Sequence, residues 1–164
     1  MTGVTGPYVL VSGPGEATAE EEAWAEEVGR LVAEAGGIVL CGGLRGVMDA
    51  AARGARTAGG ISVGILPGES RTGSGTSLTV AIPTGVGETR NALLVRAADV
   101  VIAISGEFGT LSEIAFALKM GKPVIGLHTW DLSKPGDGVD PIVRVTSPEE
   151  AVARALAEAG RGGG

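Results

Sequence analysis

Several features are scarce in this sequence, and each scarcity closes off a class of function. There is one cysteine, Cys41, among 164 residues, so no intramolecular disulfide can form. With a single histidine, His128, besides that cysteine, no metal-ligand cluster with recognisable spacing exists. Basic residues are outnumbered, 13 against 19 acidic, and the net charge of −6 has the wrong sign for a protein that neutralises nucleic-acid phosphates. No apolar run approaches the roughly 20 residues that cross a bilayer. The opening MTGVTGPYVLVSG has neither a basic start nor a cleavable apolar segment, so a cytoplasmic protein with neither nucleic-acid nor membrane partner is expected. Aromatic residues make up only 3% of the chain, so the 44% that is hydrophobic must build its core from Val, Ile, Leu and Ala.

Glycine, in contrast, is abundant at 29 residues and gathers at a few junctions. Between those junctions short apolar runs alternate with amphipathic segments, the pattern of a doubly wound α/β sheet. Strands are predicted at Tyr8 to Ser12, Ile38 to Leu40, Ile61 to Leu66, Leu78 to Ile82, Asp99 to Ile104 and Pro123 to Leu127, with an edge strand at Ile142 to Val145. Helices are predicted at Glu20 to Ala35, Val47 to Ala58, Gly87 to Ala98, Phe108 to Met120 and Glu149 to Glu158. The acidic clusters of the first helix read as a solvated face opposite Trp24, Val28, Leu31 and Val32. Glu69 to Thr76 reads as a mobile polar loop, and residues 161–164 as a flexible tail after a single Rossmann-like domain spanning residues 1–160. A mostly parallel sheet of six or seven strands, with helices on both faces, is the expected fold class.

In such sheets ligands bind where strands end, at the point where strand order reverses. Three of those ends carry glycine-rich turns that open helices: Gly13-Pro14-Gly15-Glu16, Gly42-Gly43-Leu44-Arg45-Gly46 and Gly106-Glu107-Phe108-Gly109-Thr110. Backbone amides at helix starts attract anions. One such turn would be a tight connection and nothing more, but three on one edge suggest a phosphate site. The first turn lacks a full G-x-G-x-x-G, and no acidic residue follows the second strand to hold a ribose, so a nicotinamide dinucleotide is disfavoured. Arg45 and Arg90 stand at predicted helix starts, where the macrodipole disfavours cations by roughly 0.3 to 1 kcal/mol. An anion between them would reverse that sign. Thr110-Leu111-Ser112-Glu113 fits a T-x-x-E capping box, a structural role, or else aims Glu113 at the ligand beside Arg90. Cys41 and His128, each at a strand end, read as structural.

Together, GGLRGVMDAAARG, GGISVGILP, GETRNALLV and GEFGTLSEIAFAL resemble the LOG-like group of Rossmann proteins, once labelled possible lysine decarboxylases, and are most similar to its bacterial molybdenum cofactor carrier-like members. The resemblance covers roughly Gly13 to Leu127. It implies a binding protein for a phosphate-bearing, nucleotide-like ligand, AMP-like or molybdenum cofactor, and a homodimer or larger assembly. The alternative it implies is a phosphoribohydrolase that releases free base and ribose 5-phosphate from nucleoside 5′-monophosphates, with Arg90 and Glu113 catalytic. Two departures stand out: Ser105 and Glu107 occupy a motif that reads PGGxGTxxE in those enzymes, and Val86-Gly87-Glu88-Thr89 replaces the Met-His pair that often precedes the arginine. The ligand is expected to be held by Gly13, Gly15, Gly42, Gly43, Arg45, Gly46, Thr84, Asn91, Gly106, Gly109 and Thr110.

Overall fold

The computed structural model describes residues 5–162. Short runs of Val, Ile and Leu, each too brief for a helix, form one all-parallel sheet of seven strands: β1 (Tyr8–Ser12), β2 (Ile38–Cys41), β3 (Ile61–Leu66), β4 (Val80–Pro83), β5 (Val100–Ile104), β6 (Val124–Leu127) and β7 (Val143–Val145). The spatial order is β4-β3-β2-β1-β5-β6-β7. Strands β2, β5 and β6 are buried along their whole length, as parallel strands covered on both faces must be.

Alternate side chains of each strand point to opposite faces and so feed two cores. One core joins Val9, Val11, Val39, Ile102 and Ile104 to helices α1 (Ala19–Glu34), α2 (Val47–Thr57) and α5 (Pro148–Arg161). The other joins Leu10, Leu40, Val101 and Ala103 to α3 (Arg90–Ala97) and α4 (Phe108–Lys119). Helices α1 and α2 lie backbone against backbone. A Cβ on Gly29 would sit 2.0 Å from the Ala51 carbonyl oxygen, and one on Gly54 would sit 1.8 Å from that of Glu26. Arg53 bridges the same two helices, 3.1 Å from Glu26 and 3.5 Å from Asp49, so part of the acidic face that reads as solvated is paired.

The expected α/β architecture is the observed one, with local corrections. The helix predicted at Gly87 to Ala98 divides into a 3₁₀ turn, Gly87–Thr89, and α3, so Arg90 is the first residue of the α-helix. Strand β4 starts two residues later than predicted, because Leu78 packs over Gly64 and Thr79 trades backbone and side-chain bonds with Ser62. Asp99 precedes β5 and accepts a 2.8 Å bond from the Tyr8 amide. Arg161, predicted to begin the tail, ends α5 with Gly162 as its C-cap, while residues 163–164 lie outside the described region. No helix among the described residues is long and apolar enough to cross a membrane.

Candidate ligand site at the carboxyl rim

Strand order reverses between β1 and β5, because the chain leaves β1 toward β2 on one side and returns to β5 on the other. The turns after β1, β2 and β5 therefore part at this point and leave a crevice. A cavity of about 330 Å³ occupies it, bounded by Ser12, Gly13, Gly15, Gly42, Met48, Pro67, Glu88, Arg90, Asn91, Glu107, Gly109, Thr110 and Glu113 among others.

Arg90 is the central feature. Its side chain starts at the N-terminus of α3 and is only 8% exposed. One guanidinium nitrogen, Nη2, lies 3.3 Å from the Gly42 carbonyl oxygen and Nη1 donates to Asn91 Oδ1, but Nε is buried with no partner. Asn91 in turn donates 2.9 Å to Ser112 Oγ, which donates 2.7 Å to the Gly109 carbonyl. This chain of bonds holds the guanidinium against the start of α4. Burial pulls the Arg90 pKa below its ordinary value, with Glu113 as the main opposing charge. A buried donor left without an acceptor costs about 1 to 3 kcal/mol. The protein keeps the residue that carries this donor in the wall of a cavity.

Glu113 faces the same space and is 6% exposed. The capping box does not form. Helix α4 begins at Phe108 with Glu107 as N-cap, which puts Thr110 inside the first turn and leaves Glu113 to accept from Ser12 Oγ on β1. Burial pushes the Glu113 pKa up to about 7, against the lowering effects of Ser12 and Arg90. Ser12, the hydrogen-bond partner of Glu113 at the cavity, is a residue that sequence reasoning missed. It does carry a signal, since it is the one polar residue in the YVLVS run besides the exposed Tyr8 and stands at the carboxyl end of a central strand.

The helix starts around the rim fall into two groups. Thr18 caps α1 and Ser147 caps α5 through side-chain oxygens, whereas α2, α3 and α4 receive no side-chain cap. The first amides of α4 are therefore free of side-chain competition beside the cavity.

The glycines also divide. Gly43, Gly46 and Gly106 have positive φ and serve the turns, and none lines the cavity. At φ +115 Gly106 occupies backbone space closed to other residues, and a Cβ there would meet Thr110 Cβ at 2.4 Å. Gly13 and Gly42 line the cavity but are also fixed by packing, against Val47 and against Arg90 and Met48. Gly15 and Gly109 have no such reason to be glycine. A Cβ on Gly15 would meet nothing closer than 3.8 Å, and one on Gly109 would meet nothing within 4 Å.

Two further predicted residues stand apart from the cavity. The Thr84 hydroxyl donates 2.7 Å to the Leu66 carbonyl and closes the end of β3, a fold role. Arg45 is exposed and lines an adjoining hollow with Glu16 and Glu107, which shares Pro14, Gly15, Leu44 and Met48 with the cavity. Both arginines thus lie on one rim in neighbouring depressions. Cys41 is fully buried and burial pushes its thiol up to about 12, which excludes a thiolate nucleophile at neutral pH. His128 stacks on Trp24 with ring centroids 4.9 Å apart, and does not line the cavity.

The sequence model of the SLOG cluster4 family matches residues 6–152. The chain belongs to the SLOG cluster4 family. An uncharacterized protein of Archaeoglobus fulgidus is 40% identical over 142 residues, covering 87% of this chain and 89% of that one. Among solved structures, the molybdenum cofactor binding protein from the phototrophic bacterium Rippkaea orientalis superposes with a TM-score of 0.84 at 38% identity, covering 93% of this chain and 96% of that one. The molybdenum cofactor carrier protein from Chlamydomonas reinhardtii superposes with a TM-score of 0.81 at 32% identity, covering 91% and 95%. The SLOG cluster4 assignment agrees with the LOG-like resemblance carried by the four motifs. Within this SLOG cluster4 chain, an arginine, backbone amides and a hydroxyl suit an oxyanion or phosphate. Among its described residues no group of three or more His, Cys, Asp or Glu side chains is placed to hold a metal ion.

Proposed function

We propose that this protein binds a phosphate-bearing, nucleotide-like small molecule at the carboxyl rim, of the type represented by molybdenum cofactor. The observation that carries the reading is a guanidinium more than nine-tenths buried in the wall of the rim cavity, with one donor, Nε, left unpaired. A phosphate in the cavity draws the guanidinium toward it and, with a small rotation of the side chain, gives it the acceptors it lacks; two parallel bonds from a guanidinium edge match phosphate geometry. Gly15 and Gly109, bare where nothing in the fold crowds them, let backbone amides approach the same group. Arg45, in the adjoining hollow, lies where a second part of an extended ligand would reach. The similarity to structures described as molybdenum cofactor binding and carrier proteins supports the ligand class. Calorimetry with purified molybdenum cofactor and with AMP tests it. Saturable binding lost in Arg90→Ala is expected, and no binding of either compound overturns it.

The hydrolytic alternative rests on the juxtaposition of Arg90 with Glu113 in one cavity. There, Arg90 would hold the phosphate or ribose of a nucleoside monophosphate and Glu113 would stabilise positive charge on the ribose. Chromatography for free base and ribose 5-phosphate separates the two readings, since a binding protein releases neither.

Assembly into a homodimer or larger belongs to the same proposal. Val80 and Ile82 on the edge strand β4 are 44% and 45% exposed, and Leu93 on α3 is 46% exposed. Apolar residues on an open edge favour a partner surface. Light scattering that returns a monomer mass removes this part.

A further inference from the structure

The pairing of Glu113 with an anion-binding arginine poses a problem of charge. A phosphate monoester and a carboxylate confined in a cavity of about 330 Å³ repel one another, and one of them must give up charge. The surroundings of Glu113 decide which. Ser12 on β1 donates to Oε2, while Oε1 has no hydrogen bond among the described residues and is not sealed in the interior. Arg90 of α3 lines the same space, but its donors go to Gly42 and Asn91 and no ion pair joins it to Glu113. The remaining charged or titratable groups at the cavity itself are acidic or neutral: Glu88 in the turn before α3, Glu107 at the start of α4, Cys41 on β2, and Asp49 on α2, whose carboxylate is engaged by Arg53 and the Ser77 amide; the rim's second cation, Arg45, is exposed in the adjoining hollow beside Glu16 and Glu107. Inside the cavity Arg90 is, among the described residues, the one cation beside these acids, and it does not compensate a second anion.

We infer that Glu113 contacts the ligand as a neutral acid, donating the proton on Oε1 to a phosphate oxygen, so that binding of a phosphate monoester takes up one proton from solvent. The inference rests on the proposed phosphate site and adds a selectivity to it. The floor of the cavity offers a hydrogen-bond donor to an ester phosphate below the titration of Glu113 and a repelling carboxylate above it. Burial, which already holds the carboxyl well above the usual carboxylate range, points the same way. A bound anion raises it further. Affinity therefore falls as pH rises through and beyond neutrality, by about tenfold per pH unit where coupling is complete.

The experiment is calorimetric titration of wild-type protein with AMP and with purified molybdenum cofactor between pH 7 and 9, where a phosphate monoester with its second pKa near 6 is dianionic throughout. Titrations in two buffers of different ionisation enthalpy count the protons without any variant. Proton uptake that climbs toward one per ligand as pH rises above 7, with the rise in Kd approaching tenfold per unit, is expected. Glu113→Gln keeps a donor in place but cannot titrate, so it should bind with a flat pH profile. A flat wild-type profile with no proton uptake overturns the inference and leaves the phosphate site standing, as does a Glu113→Gln protein that keeps the slope. Absence of binding by both compounds at every pH removes the site and the inference together.

Discussion

The two ends of the sheet both carry cavities, and the larger is the less informative. At the amino end a hollow of about 650 Å³ is lined by Gly6, Pro7, Ala98, Asp99, Lys122, Leu156 and neighbours. Its polar groups are spent on the fold: Asp99 accepts from the Tyr8 amide, and Lys122 donates to the carbonyls of Arg96 and Ala98, closing the last turn of α3. At the carboxyl end the space is about half as large, yet Arg90 keeps an unused donor and Glu113 keeps a buried carboxyl. Size alone therefore does not mark a site. Polar capacity held in reserve does, because a fold under no functional demand satisfies or discards such groups.

Substitutions at the two ends can break this contrast. Arg90→Ala should weaken ligand binding on the order of a hundredfold. Fold stability should hold or rise, since a desolvated and incompletely bonded cation is removed; calorimetry and urea denaturation read the two effects. Glu113→Gln sharpens the contrast through pH. The folded carboxyl holds its proton up to about pH 7 against an ordinary value of 4.5, so the native state binds more protons in that window. Wild-type stability from this group is present at low pH and lost as pH rises, on the order of 3 kcal/mol in total. The variant should lack that slope, so its stability advantage over wild type should grow between pH 5 and pH 8 in denaturant titrations.

Smaller effects follow. Gly109→Ala places a methyl group into open space within α4 and should hold or slightly raise the melting temperature, while about tenfold in affinity is lost through blocked approach to the α4 amides. Lys122→Met at the opposite end should do the reverse, costing about 1 kcal/mol of stability through two lost carbonyl bonds with no change in binding.

Much of this contrast is legible in the order of residues alone. Gly-rich strand ends point to one rim, and Arg90 at a helix start breaks a rule that only an anion would mend. The alternation of Val-rich runs with Ala-rich helices defines the layers, because the periods of strand and helix differ. Side-chain destination is what the order of residues does not reveal. T-x-x-E looks the same whether Thr110 caps a helix or sits within its first turn, and only the position of Glu107 decides. Thr84 stands at a strand end like a ligand residue, but its hydroxyl turns to Leu66. Nor does local sequence tell a glycine demanded by φ, such as Gly106, from one left bare, such as Gly109, since that depends on how the turn is folded and on what surrounds it.

Arg90, with its unpaired donor, is kept at the rim for a guest. The Nε–H resonance of Arg90 in ¹⁵N NMR, assigned by its loss in Arg90→Lys, reports on that atom alone. On addition of molybdenum cofactor or AMP it should move downfield and gain protection from exchange, as a newly made hydrogen bond requires. A ligand that saturates the protein while this resonance stays where it was would contradict the account.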